Sequence, residues 1–87
     1  MSADAMTVDD PAAMRAVLAV IQQGDEHDAL VDNAIIAKQT GYDLDLVAAL
    51  LEDAKERSLV WGRRTGDKPA PWFSELEVTV QGKRLLK

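Results

Sequence analysis

The stretch Asp32-Asn33-Ala34-Ile35-Ile36-Ala37-Lys38-Gln39-Thr40-Gly41-Tyr42-Asp43 decides the fold. Asp32 carries a short side-chain acceptor of the kind that caps a helix by taking up the free amides of its first turn. Ile35 and Ile36 are the inward positions of the helix that follows, and Gly41 can close it in the left-handed conformation. The stretch therefore predicts a helix over 33–40. Only Gly41 and Tyr42 separate it from a second capping aspartate, Asp43. After Asp43, the apolar residues Val47, Leu50, Leu51 and Ala54 fall at i, i+3, i+4 and i+7, one face of a helix. Tyr42 and Val47 are spaced for a hydrophobic staple across the cap.

Upstream, Asp10-Pro11 combines a cap with a proline at the first helical position, where its missing N–H costs nothing. Met14, Val17, Leu18 and Ile21 repeat the helical spacing. With Gly24 as the terminator, a first helix is predicted over 11–23. Asp25 to Asp28 reads as a polar connector and Ala29 to Val31 as a minimal strand. Residues 1–9 have no periodicity and read as a flexible leader to a domain over 10–87.

Downstream of Ser58 the texture changes to β-favouring residues: Leu59, Val60 and Trp61, then Glu75 to Val80. Leu76, Val78 and Val80 alternate with charged and polar neighbours, the period of a half-buried strand. Between the two runs lies Arg63-Arg64-Thr65-Gly66-Asp67-Lys68-Pro69-Ala70-Pro71, a basic loop rich in turn residues. The tail from Gln81 to Leu86 reads as a short helix that Thr79 can cap.

At 87 residues the chain makes one domain, and a hydrophobic share of 47% suffices for its core. Without cysteine it has no disulfide, no thiol nucleophile and no cysteine-ligated zinc. No apolar run approaches the roughly 20 residues of a membrane span, and the acidic start lacks the basic n-region of a secretory signal. A soluble, cytoplasmic protein is expected. The net charge of −5 is unevenly spread: residues 1–54 hold two bases against eleven acids, and residues 55–87 hold eight bases against four acids. A basic end of this kind can face a polyanion, and it can equally be clustering on a solvated surface.

Two helices joined by a tight glycine-containing turn form a helix-turn-helix pattern, and the residues around it extend the likeness. Asn33 to Gly41, Asp43 to Val60, and the segment Val78-Thr79-Val80-Gln81-Gly82-Lys83-Arg84-Leu85-Leu86 together resemble bacterial winged helix-turn-helix domains. With the first helix included, the resemblance covers residues 11–87. It implies an α+β, mostly α fold: a three-helix core with a C-terminal β-hairpin wing. In that family the third helix enters the DNA major groove and the wing touches backbone or minor groove, although other members bind proteins.

Transferred to this chain, the resemblance makes Arg63, Arg64 and Lys68 of the wing the candidate contacts to double-stranded DNA, with Lys38, Gln39 and Thr40 at the turn touching backbone. Helix 3 departs from the family pattern. With its apolar row inward, its outer face carries Asp45, Ala49, Glu52 and Glu56, and carboxylates are repelled by phosphate. That acidic face, or the aromatic residues Trp61, Trp72 and Phe73 flanking the wing, is the alternative surface for a protein partner or a homodimer. The aromatics can equally pack across the hairpin. His27 stands among carboxylates but has no second nitrogen or sulfur ligand, so no metal is expected. No cofactor motif, nucleophile–base pair or small-molecule substrate site is evident, so an enzyme is not expected.

Overall fold

The computed structural model describes residues 10–66 and 71–87. The leader predicted over 1–9 and the candidate contact Lys68 lie outside the described residues. The elements are α1 (Pro11–Glu26), α2 (Asn33–Thr40), α3 (Leu44–Glu56), β1 (Val60–Gly66), β2 (Trp72–Val78) and α4 (Val80–Leu85). This is the expected α+β architecture, mostly helical, with three helices followed by an antiparallel hairpin.

Aspartates start all three core helices. The carboxylates of Asp10, Asp32 and Asp43 accept from the amides of Ala12, Ile35 and Leu46 at 2.9, 3.0 and 2.8 Å. Each bond satisfies a donor that the helix itself cannot. Gly41, at φ 79°, closes α2 as predicted.

The helix faces follow from the apolar spacing. Met14, Val17, Leu18 and Ile21 of α1 and Val47, Leu50, Leu51 and Ala54 of α3 are all buried. They meet Ile36, Leu59, Val60, Phe73, Leu76 and Val78 in a single core. Ile35 corrects the expectation for α2: only Ile36 enters the core, and Ile35 is 38% exposed. Ile36 is on the side of α2 that faces the core, while Ile35, about 100° round the helix, is on its flank.

α1 passes its predicted end by a turn and stops at Glu26. Gly24 is therefore inside the helix rather than beyond it. Its role is steric, because a Cβ there would run into the Val31 side chain. The segment Ala29 to Val31 forms no strand. It contributes one backbone bond to the sheet, from the Leu76 amide to the Val31 carbonyl at 3.4 Å.

The hairpin strands are longer than the sequence pattern predicts. Arg63 pairs with Ser74 and Arg64 with Phe73, so both arginines lie on strand rungs rather than in the connecting loop. β2 carries one extra residue between its pairings with Trp61 and Arg63. Glu75 occupies that place at φ 54°. Such a bulge resets the alternation of side chains along a strand, which is how Phe73 and Leu76 both reach the core. Val80, expected to continue the strand, instead begins α4 and is exposed.

The end of the chain is clipped onto the start of the hairpin. Thr79 donates its hydroxyl to the Ser58 carbonyl at 2.6 Å, and the same oxygen caps α4 through the Gly82 amide at 3.1 Å. The Thr79 amide donates to the Leu59 carbonyl at 3.0 Å. Gly82 is buried, and a Cβ there would collide with the Leu59 carbonyl oxygen and the Val78 side chain.

Candidate nucleic-acid interface

Directly opposed residues of an antiparallel pair share a face of the sheet. Arg64, opposite Phe73, is therefore on the face that meets α3, and Arg63, opposite Ser74, is on the outer face. The two arginines accordingly find different partners. The Arg63 side chain is 78% exposed, with its Nη1 3.4 Å from Glu75 Oε2. Arg64 reaches back toward α3, with its Nη1 3.9 Å from Glu52 Oε2. Both pairs are long and solvated, so each is worth little and can exchange for another anion.

A polar cleft of about 170 Å³ lies between α3 and the hairpin, lined by Glu52, Lys55, Glu56, Arg64 and Phe73. Phe73, buried at its floor, belongs to the core. The Lys55 ammonium stands 5.2 Å from the centre of that ring and donates to the Gly62 carbonyl at 3.1 Å. Lys55 thus fastens α3 to both strands of the hairpin, to β1 by a charge-assisted hydrogen bond and to β2 by a cation–π contact.

At the turn between α2 and α3, Lys38 and Gln39 are exposed. Thr40 is committed internally. Its hydroxyl donates to the Ile36 carbonyl at 2.7 Å and accepts from the Tyr42 amide at 3.2 Å. The outer residues of α3, Asp45, Glu52 and Glu56, are exposed, so the acidic face read from the helical wheel does face solvent. The three aromatics separate: Phe73 is buried, Trp72 is half-buried, and Trp61 is 70% exposed on the outer face of the hairpin. His27 ends α1 as an exposed capping residue.

Two residues that position this surface are missing from the sequence reading. Asn33 is fully buried and bonds to the backbone of Pro71 and Phe73, at the start of β2. Its signal is its spacing: it lies three residues before Ile36, on the inner stripe of α2. Lys55 lies four residues after Leu51, at the flank of the apolar row of α3, where a long side chain can cover a neighbouring ring.

No protein-family model matches the chain, and no curated protein matches it. Among solved structures, the chain is similar to BpsR of Bordetella bronchiseptica, determined in work on how 6-hydroxynicotinic acid regulates DNA binding by that protein. The two are 19% identical with a TM-score of 0.62, and the match covers 99% of this chain. The fold is winged-helix-like. In that frame α2 and α3 are the helix-turn-helix and β1–β2 is the wing. The chain spans 58% of the length of the BpsR chain. No helix among the described residues is long and apolar enough to cross a membrane.

Proposed function

We propose that this chain is a winged-helix module that binds double-stranded DNA through phosphate contacts made mainly by its wing, acting as a transcription regulator or an accessory factor rather than an enzyme. The observation that carries the reading is Arg63, an arginine on the outer face of the wing whose side chain is 78% exposed and makes a long pair to Glu75. The fold shared with BpsR, a protein whose DNA binding is regulated, supports it. Lys38 and Gln39 at the helix-turn-helix supply backbone contacts. Lys68, between the two strands in sequence, supplies a further one.

The acidic face of α3 sets the character of the binding. Asp45 is also in the first turn of α3, where a carboxylate offsets the positive helix end that could otherwise meet a phosphate. Base readout by α3 is therefore weak, and affinity is electrostatic. Three phosphate contacts give a salt slope of about −2.7, or a loss of about 40-fold between about 50 and about 200 mM salt.

The test is a fluorescence-anisotropy titration of a mixed-sequence duplex at about 50 mM salt, where counterion release favours binding most. Binding by the wild type, with a salt slope reduced by about one in Arg63→Gln, is the expected result. No binding under these conditions contradicts the reading.

A second reading rests on a separate observation: α3 exposes Asp45, Glu52 and Glu56 together, and Trp61 is exposed on the wing. These surfaces suit a protein partner with a basic or an apolar face, a second copy included. Under that reading, reversing Glu52 and Glu56 to lysine abolishes capture of the partner in a pull-down. Unchanged capture removes α3 from it.

A further inference from the structure

We infer that the cleft between α3 and the wing is an anion subsite masked by Glu52, whose carboxylate holds the place that a backbone phosphate takes when the protein binds a polyanion. The inference rests on the duplex-binding reading and adds to it a residue that sets affinity. Two cations reach this cleft from opposite walls: Lys55 from α3 and Arg64 from β1. Phe73 forms a buried apolar floor, and Lys55 is fixed above it by the Gly62 carbonyl. A guanidinium facing a carboxylate presents the same donors that it offers a phosphate.

The geometry favours exchange over a permanent lock. The Arg64–Glu52 separation is 3.9 Å, and both side chains are about half exposed (49% and 47%). A pair so long and so wet is readily displaced. Glu56 lines the same cleft, so releasing Arg64 from Glu52 alone leaves a carboxylate nearby. The other wing arginine is not masked in this way. Arg63 and its partner Glu75 are on the hairpin itself, away from α3, and the Arg63 side chain is far more exposed. The masked subsite accounts for a winged helix that carries its cations in the wing and acids on the adjoining helix. Glu52 keeps Arg64 turned toward α3 until a phosphate replaces it.

The experiment compares wild type, Glu52→Gln, Arg64→Gln and the Glu52→Gln/Arg64→Gln double variant. Each is titrated with a fluorescent mixed-sequence duplex across a salt series, with circular dichroism confirming the fold. Glu52→Gln is expected to bind at least about five-fold tighter than wild type. Its salt slope is expected to stay close to that of wild type, because the Arg64–phosphate contact forms in both and only the competing carboxylate is removed, whereas Arg64→Gln is expected to lower the slope by about one. The gain should vanish in the double variant. A Glu52→Gln variant that binds like wild type overturns the inference. A gain that persists without Arg64 overturns it too, since removal of negative charge alone then explains the effect. Absence of binding by all four proteins overturns the duplex-binding reading and the masked subsite with it. Binding by wild type with no gain in Glu52→Gln overturns only the subsite.

Discussion

The side-chain amide of Asn33 stands in for a strand: its Oδ1 accepts from the Phe73 amide at 2.8 Å, while its Nδ2 donates to the Pro71 carbonyl at 3.0 Å. Asn33 is the first residue of α2 and Phe73 the second of β2, so one buried amide ties the helix-turn-helix to the wing. The tie fixes where β2 begins. It also holds the Phe73 ring under Lys55, and so it places the cleft between α3 and the wing.

Replacing Asn33 by leucine leaves the buried Phe73 amide without its acceptor. A buried donor deprived of its partner costs about 1–3 kcal/mol. Urea unfolding should show that loss, with faster hydrogen exchange at Phe73 than at the core amides of α3. A variant as stable as wild type would mean that the amide finds another acceptor.

The close approach at Gly82 makes a second test. In Gly82→Ala the new methyl meets the Leu59 carbonyl and the Val78 side chain. Overpacking of this kind costs about 1–3 kcal/mol. The exposed neighbour Gln81 changed to alanine should stay within about 0.5 kcal/mol of wild type. Thermal melts of the two variants separate the outcomes.

Most of the fold is legible in the sequence, because the signals that specify it are local. Aspartate caps at 10, 32 and 43, the apolar rows of α1 and α3, and Gly41 all act within one or two turns. Features that depend on distant partners are not legible in the same way. Gly24 resembles a helix terminator until Val31 is seen against it. Arg63 and Arg64 resemble loop residues because the pairing that extends the strands is fixed by Phe73 and Asn33. The bulge at Glu75 breaks the alternation on which strand reading depends. Of the candidate interface, the acidic face of α3 is legible, since it follows from helical geometry alone. The separation of the two arginines onto opposite faces, and the commitment of Thr40 to Ile36, require the register and the turn.

The adjacent isoleucines of α2 provide a stability test of the core assignment. Ile36→Ala removes a fully buried side chain and should cost about 2–5 kcal/mol. Ile35→Ala should cost about 1 kcal/mol or less, since its side chain keeps much of its contact with water. Equal losses in denaturant unfolding would contradict the burial of one and the exposure of the other.

The proposed electrostatic mode of duplex binding predicts little discrimination between sequences. Affinities for two unrelated duplexes of equal length should agree to within about ten-fold, far from the 10³-fold or more of a specific reader, on the order of which true operators are distinguished. Lys38→Gln should weaken both by the same factor, as expected for a phosphate contact. A competition titration measures both quantities. Strong preference for one sequence would indicate that α3 or the wing reads base edges.

The most direct measurement is an amide chemical-shift map of the labelled protein titrated with a short mixed-sequence duplex at about 50 mM salt. The wing account predicts that the largest shifts fall on β1 around Arg63 and Arg64 and at the α2–α3 turn around Lys38, with smaller shifts at Glu52 beside the cleft and little change at Asp45. Shifts centred on Asp45, Glu52 and Glu56 with a silent wing, or no shifts at all, would contradict it.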